Sequence, residues 1–323
     1  MSASRQPGPL PGARPRGGAA DVVIAGGGVI GTAIAWRAAR LGLSVVVVDP
    51  GRGDAATDVA AGMLGPVSES MFGEQDLLAL NLLAVARFPA FAAEAEAACG
   101  LATGLRTEGT LAVALDRADH DRLARLTGFR RSLGLRADPL DARGCRDLEP
   151  FLAPGIHGGV LAVGDLSVDN RRYAAALRAA ARAAGARFTR ATVTAVATAG
   201  GRAAGVYAVP AGDGPEDAAG RGGAARPGGA ARPGGAARPG GTAGPGGTAG
   251  PGGTAGAGAT GEGRAGPGEL IAARAVVLAA GWRTGQVGGL PEPLRRAFRP
   301  VKGQILRLRH PAGMPPVITR TVR

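Results

Sequence analysis

The chain has 323 residues, of which 45% are hydrophobic, and a formal net charge of +13. This length is enough for about two domains with real hydrophobic cores. The segment 281–323 contains nine basic residues and a single acidic residue, Glu292. We predict no nucleic-acid binding, because these basic residues have few aromatic side chains and no known binding module beside them.

Residue types that mark secreted, metal-binding or membrane proteins are sparse. Cys99, Cys145 and three isolated histidines give neither a disulfide framework nor a metal-ligand spacing. We therefore expect a cytoplasmic protein without a metal. No apolar run approaches the ~20 residues needed to cross a membrane, so we predict no membrane contact. Residues 1–20 are rich in Pro, Gly and Arg and lack the apolar stretch of a signal peptide, which predicts a disordered tail.

The segment 21–50, DVVIAGGGVIGTAIAWRAARLGLSVVVVDP, has the order strand, glycine turn, helix, strand and acid. Gly26, Gly28 and Gly31 supply the G-x-G-x-x-G spacing, which allows a tight turn, close approach to a pyrophosphate and close helix–strand packing. The helix N-terminus offers free N–H groups and a positive dipole end to that phosphate. Asp49 ends the second strand, where an acid accepts a hydrogen bond from a ribose hydroxyl. The unit predicts a site for NAD or FAD, and disfavours NADP because the acid would repel its phosphate.

Beyond this unit, hydrophobic periodicity and turn residues predict alternating strands and helices. A long helix over 74–99 is expected to kink or break at Pro89, which removes a backbone hydrogen bond. The predicted strands are 22–25, 44–48, 110–115, 158–163, 187–196, 204–209, 270–278, 303–308 and a segment starting at Val317, and the other predicted helices are 29–41, 116–133, 141–148 and 170–184.

Residues 211–268 differ in composition from the rest of the chain. A six-residue repeat runs six times over 222–257, first as GGAARP and then as GGTAGP or GGTAGA. Gly and Pro at this density bury too little apolar surface to offset the entropy of ordering. We predict a disordered insertion between two strands, which a fold tolerates because the cost of loop closure grows slowly with length.

Four segments carry a family resemblance: AGGGVIG with Asp49, AAGMLGP with Glu69 after it, VVLAAGWRTG, and RPVKGQILRL. Together they resemble the FAD-dependent amine and amino-acid oxidases of the D-amino-acid oxidase superfamily. The likeness is strongest to the glycine oxidase branch, which serves thiamine biosynthesis. The first segment is shared by many flavoproteins, whereas AAGMLGP and PVKGQ are more specific to this branch. The resemblance covers about 21–323 without the insertion.

The resemblance implies an α/β (α+β) fold of two interleaved domains, a Rossmann-like FAD-binding domain and an antiparallel-sheet substrate domain. The FAD-binding domain would comprise 21–105, 164–210 and 269–300, and the substrate domain 106–163 and 301–323. Asn170 stands where relatives often have proline, and Asp49 where many have glutamate. The residues implied to contact FAD, from the helix start through the ribose and the flavin end to the adenine, are Gly26, Gly28, Val29, Ile30, Gly31, Asp49, Pro50, Ala56, Thr57, Ala61, Gly62, Met63, Val193 and Gly281.

The reaction implied by the resemblance is oxidation of a small amino acid such as glycine by hydride transfer to the flavin. The imine would hydrolyse to a keto acid and ammonia, and O2 would reoxidise the flavin with release of hydrogen peroxide. The isoalloxazine carries this chemistry, so no catalytic side chain is assigned within the chain. A homo-oligomer is compatible with the resemblance.

In the family, a further C-terminal portion follows the position of Arg323 and carries the arginine that pairs with the substrate carboxylate. We therefore expect weakened FAD binding and poor or absent glycine turnover in the chain as given. Three alternatives stay open: another oxidase or dehydrogenase of the superfamily, acting on sarcosine or a D-amino acid; a catalytically impaired FAD-binding fragment; and, least favoured, an NAD-dependent dehydrogenase.

Overall fold

The computed structural model describes residues 18–53, 55–211, 268–308, 313 and 316–323. Residues 1–17 of the tail predicted over 1–20 and residues 212–267 of the insertion predicted over 211–268 lie outside the described residues, and Ala20 is the first residue of β1. The strands are β1 Ala20–Ala25, β2 Val45–Val48, β3 Met63–Leu64, β4 Thr110–Ala114, β5 Ala137–Leu140, β6 Gly158–Ala162, β7 Leu166–Ser167, β8 Arg187–Thr189, β9 Ala191–Ala199, β10 Arg202–Pro210, β11 Glu269–Leu278 and β12 Thr321–Val322. The helices are α1 Val29–Arg40, α2 Ala56–Val59, α3 Gln75–Cys99, α4 Arg117–Ser132, α5 Ala142–Leu148, α6 Asn170–Ala183 and α7 Glu292–Ala297, with a 3-10 helix at Gly281–Gln286.

The larger sheet has six strands in the order β8-β2-β1-β11-β10-β9. β8, β2, β1 and β11 run parallel, and β11, β10 and β9 then form an antiparallel meander. β1 therefore lies in the middle of the parallel part, and its C-terminal end meets those of β2 and β11 at one edge of the sheet. This mixed sheet agrees with the predicted α/β fold class, which is confirmed by the comparisons reported below.

The two faces of this sheet are both covered, as the continuous apolar runs of β1 and β2 predict. Ile24 and Val47 point to the face where α1 and α6 pack, and Trp36 of α1 is fully buried against them. Val23 points to the opposite face and packs with Val206 of β10. The alternation follows from the two-residue period of a strand. The end of β1, from which the turn to α1 begins, is therefore packed on both faces.

The second sheet has four strands in the order β12-β4-β6-β5. β4, β6 and β5 are antiparallel, whereas β12 pairs parallel to β4. Helices α4 and α5 pack on it, and each begins at an aspartate that caps the helix. The Asp116 carboxylate accepts a hydrogen bond from Asp119 N at 2.8 Å, and that of Asp141 from Gly144 N at 2.7 Å. Such caps satisfy N–H groups that a helix leaves free at its start.

A buried carboxylate fastens the last described segment to this second sheet. Glu149 is 1% exposed, and its oxygens accept hydrogen bonds from Thr319 N, Thr319 Oγ1 and Arg320 N at 2.7–3.1 Å. The Arg320 guanidinium donates from Nε at 3.0 Å. Burial alone would raise the pKa of Glu149, but these donors outweigh it and hold the pKa below the ordinary glutamate value. The cluster positions β12 against β4.

Three of the predicted elements differ in the structure. α3 continues through Pro89 as one helix, so the predicted break is wrong, whereas the alternative of a kink stays a prediction. The strand predicted over 187–196 is two strands separated by Arg190, since β8 pairs with β2 and β9 with β10. The segment 303–308 forms no strand among the described residues, because no described strand lies beside it to complete a ladder.

Helix α3 also differs from the expectation that no stretch is long and apolar enough for a membrane. By length and composition alone, it is the single helix of the described residues that could cross a membrane, and 6% of its most apolar stretch is buried. Leu77, Leu80 and Leu83 are 50%, 62% and 60% exposed. One such helix is weak evidence, and the prediction of no membrane contact stays a prediction.

Candidate functional site

The glycine turn between β1 and α1 is held by contacts that exclude side chains. Gly26 has a φ of +105°, and a Cβ placed on it would lie 2.3 Å from the carbonyl oxygen of Ala279, just after β11. A Cβ on Gly31 would lie 2.0 Å from Gly26 O. Gly26 N also donates to Val48 O at 2.8 Å. The spacing read from the sequence thus corresponds to three chain segments packed backbone to backbone.

Asp49, at the end of β2, binds the backbone of the glycine turn and of the loop that follows β2. Its Oδ2 accepts a hydrogen bond from Gly27 N at 2.6 Å, and its Oδ1 accepts one from Gly51 N at 2.8 Å. Each carboxylate oxygen has a second lone pair, so the group can still accept a hydroxyl. Asp49 therefore has the geometry of a ribose acceptor that also shapes the turn.

Two further side chains that were not among the predicted site residues reach this turn. Thr32 Oγ1 and Arg178 Nη2 both donate to the carbonyl oxygen of Gly27, at 3.0 and 3.2 Å. Thr32 is buried. Its hydroxyl is the one polar side chain in the apolar first turn of α1, and this pattern could have indicated Thr32 from the sequence. Arg178 lies on α6, far along the chain, so no local pattern could reveal its position. Together they fix the orientation of the Gly27 peptide.

The N-terminus of α1 is open apart from one contact. The N-cap residue of α1 is Gly28, which has no side chain to accept a hydrogen bond from the first turn. Val29 N donates to Thr57 Oγ1 of α2 at 3.1 Å, and Ile30 is 68% exposed. The turn, Val29, Ile30, Asp49 and Thr57 are therefore brought together as predicted, with α2 placed across the end of α1. Ala56 precedes Thr57 and is exposed.

The loop predicted to meet the flavin end, 61–63, lies on a small sheet of its own. β3 pairs antiparallel with β7, and Val168 N donates to Gly62 O at 2.8 Å. Gly62 has a φ of +79°, and a Cβ on it would lie 1.9 Å from Val168 O. Ala61 and Met63 are exposed, the latter by 37%. Packing against Val168 thus requires the glycine at 62, whatever the loop binds.

The remaining residues predicted to contact FAD are Pro50, Val193 and Gly281. Val193 of β9 packs against the apolar cluster beneath the sheet. Pro50 O accepts a hydrogen bond from Arg190 Nε at 3.3 Å. Gly281 has a φ of +58° and no atom within 4 Å of its Cβ position, so its backbone faces open space. Direct contact of each of these residues with a cofactor stays a prediction.

Comparison with known proteins identifies the family from residues 21–224, which match the family described as DAO, FAD dependent oxidoreductase. The chain belongs to this family. The match covers the glycine turn and strands β4, β5 and β6 of the second sheet. It confirms the predicted fold class and identifies FAD as the cofactor, a choice that the first strand–turn–helix unit had left between NAD and FAD.

Among curated relatives, the glycine oxidase of Geobacillus kaustophilus is 36% identical over 168 residues, which cover 51% of this chain and 44% of that protein. The bifunctional protein ThiO/ThiG of Synechocystis sp. is 32% identical over 167 residues, covering 51% of this chain and 24% of that protein. The crystal structure of the Geobacillus kaustophilus glycine oxidase has a TM-score of 0.55 and 32% identity, and covers 59% of this chain and 51% of that one. The chain thus spans about half the length of this glycine oxidase, and about a quarter of the bifunctional protein.

The donors at the turn fit the FAD of this family. The open first turn of α1 presents N–H groups and the positive end of the helix dipole, the environment that a diphosphate requires. The hydroxyl of Thr57 lies 2.9 Å from the Cβ position of Gly28, so a side chain at residue 28 would displace this hydroxyl. The site residues of this chain are therefore compatible with the cofactor that defines the family.

We expect Asp49→Ala to weaken FAD binding by at least about tenfold, because it removes the charged acceptor proposed for a ribose hydroxyl, a hydrogen bond worth about 1.5–3 kcal/mol. Fluorescence titration of the apoprotein with FAD measures this change. Asp49→Glu, which keeps the charge, is expected to retain most of the affinity. Equal FAD affinity in Asp49→Ala and the wild type would exclude Asp49 from the cofactor site.

Proposed function

We propose that this protein catalyses FAD-dependent oxidative deamination of glycine or a related small amine, with O2 reduced to hydrogen peroxide, in thiamine biosynthesis. The observation that carries the proposal is the FAD-type glycine turn with Asp49 in a chain 36% identical to a glycine oxidase over the matched residues. The likeness to a ThiO/ThiG protein supports the biosynthetic role. Bound FAD would supply the two-electron acceptor for the amine carbon.

The residues of this chain would hold and shield that cofactor. The first turn of α1 would bind the diphosphate through its N–H groups, and Asp49 would accept a hydroxyl of the ribose. The segment 61–63 would lie at the flavin end, where the small residues Ala61 and Gly62 allow close approach. Val193 would contact the adenine from β9. The substrates are then a small amino acid and O2, as the names of the relatives indicate.

The test is a peroxide assay on the protein expressed from its complete gene and loaded with FAD. We expect visible flavin absorption after gel filtration and hydrogen peroxide formed with glycine, measured by a peroxidase-coupled dye. Sarcosine and D-alanine are assayed in parallel, because a higher kcat/KM for either would assign the chain to another oxidase of the superfamily. Asp49→Ala serves as the control with reduced cofactor.

Two results would overturn parts of the proposal separately. A preparation that takes up no FAD would overturn the cofactor assignment at the glycine turn. A preparation that holds FAD but forms no peroxide with any of the three amines would overturn the oxidase reaction. In that second case, reduction of an artificial electron acceptor by glycine would identify a dehydrogenase.

A further inference from the structure

A relay of hydrogen bonds connects the start of α1 with the segment 301–308. Val29 N donates to Thr57 Oγ1 at 3.1 Å, and the carbonyl oxygen of Thr57 accepts from Asn170 Nδ2 at 2.5 Å. Asn170 Oδ1 in turn accepts from Arg307 Nη2 at 2.8 Å. The same nitrogen lies 3.5 Å from Asp58 O. Three separated parts of the chain therefore meet at one carboxamide.

The chemistry of the two neighbours fixes how this carboxamide must point. A guanidinium only donates hydrogen bonds, so it must face the Oδ1 atom of Asn170. A peptide carbonyl only accepts, so Thr57 O must face the Nδ2 atom. Asn170 is 6% exposed and is the first residue of α6, whose preceding residue Asp169 caps the helix. The side chain is thus held between a donor and an acceptor by a rigid helix start.

The Arg307 end of this relay holds a segment with few other attachments. Val301, Leu306 and Leu308 are 84%, 90% and 94% exposed. Within the described part of the chain, the hydrogen bonds from residues 301–308 to the rest of the protein are donated by Arg307. Among the described residues, the hydrogen bonds of this segment to the rest of the protein are therefore those of Arg307 with Asn170 and Asp58.

We propose that Asn170 is a positioning residue for FAD, which holds Thr57 beside the first amide of α1 and couples that loop to the segment 301–308 through Arg307. The inference rests on the proposed binding of FAD at the glycine turn. The Thr57 hydroxyl accepts a hydrogen bond from Val29 N. Its own hydrogen can be donated to a phosphate oxygen bound at the start of α1. Losing the carboxamide would release Thr57 and Arg307 together, so FAD affinity and the mobility of 301–308 are linked reciprocally.

The experiment compares Asn170→Ala, Asn170→Asp, Asn170→Pro and Arg307→Met with the wild type. Proline is tolerated at the first position of a helix, so it removes the carboxamide while keeping α6. Aspartate keeps an acceptor for Arg307 but offers no donor to Thr57 O. Arg171→Ala, an exposed neighbour on the same helix, is the matched control. Far-UV circular dichroism checks that each variant is folded.

Two readouts are measured, neither of which depends on enzyme activity. The first is the Kd for FAD from fluorescence titration. We expect it to rise about tenfold in all three Asn170 variants, because each loses one hydrogen bond worth about 1.4 kcal/mol. The second is the rate of tryptic cleavage after Lys302, followed by mass spectrometry. FAD is expected to slow this cleavage in the wild type and in Arg171→Ala. In Asn170→Ala, Asn170→Pro and Arg307→Met we expect no such protection.

The outcomes separate this inference from the proposed function. If the wild-type protein binds no FAD, the proposed function itself is contradicted, whatever the variants show. Wild-type affinity for FAD in both Asn170→Pro and Asn170→Asp would overturn the positioning role while leaving the proposed function intact. If Asn170→Asp binds FAD normally and only Asn170→Ala is impaired, the side chain fills space and does not relay a hydrogen bond, which also overturns the inference.

Discussion

Gly31→Ala is expected to lower the free energy of unfolding by about 3 kcal/mol and to weaken FAD binding at least about 100-fold. A Cβ at this position would lie 2.0 Å from Gly26 O and 3.2 Å from Ala279 Cβ. The Gly26 peptide cannot retreat, because its N–H is bonded to Val48 O and its Cα faces the Ala279 carbonyl. The helix must therefore move away from the sheet. Urea unfolding and FAD titration measure the two effects.

The matched control for this change is Gly128→Ala in α4. Its Cβ position has no atom within 4 Å, and alanine in a helix interior is favoured over glycine by about 1 kcal/mol. We expect it to be neutral or stabilising, with unchanged FAD affinity. If Gly31→Ala bound FAD like the wild type, the turn would not be the cofactor site.

Glu149→Ala is expected to destabilise the protein by about 3 kcal/mol, because it leaves the Arg320 guanidinium and the Thr319 amide without their shared acceptor in a buried position. The second sheet would lose its hold on β12. Glu94→Ala, which removes an exposed partner of Arg37 and Arg40, should cost less than about 1 kcal/mol. Chemical unfolding at neutral pH compares the two variants.

The contribution of Glu149 also sets a pH dependence. Its pKa in the folded protein lies below that of an unfolded glutamate, because the donors from Thr319 and Arg320 outweigh the effect of burial. Its stabilisation is therefore fully present above the unfolded pKa of about 4.3 and is lost as the pH falls through the folded pKa. The difference in stability between wild type and Glu149→Gln should narrow below about pH 4. A constant difference across that range would contradict this assignment.

The part of the site built from neighbouring residues could be predicted from the sequence. The glycine spacing, α1 and Asp49 all belong to one strand–turn–helix–strand unit, so local patterns determine their geometry. Thr57 joined the predicted site only through the family resemblance. Its contact with Val29 N depends on α2 crossing the end of α1, which no periodicity indicates.

The residues that the sequence did not reveal come from distant segments. Arg178 reaches the Gly27 carbonyl from α6, and Val168 explains the glycine at 62 by backbone contact. The segment 303–308 has the composition of a strand, yet strand formation needs a neighbour and none of the described strands supplies one. Local composition predicts what a segment can form, whereas pairing determines what it does form.

The arrangement of the strands has a consequence for how this protein emerges from the ribosome. β1 leaves the ribosome well before its partner β11, and β4 likewise precedes β12. Until then the nascent chain carries open strand edges, which promote association with other chains. Such long-range pairing also slows folding. Each sheet is therefore completed only after the late strand, β11 in the first and β12 in the second, has been synthesised.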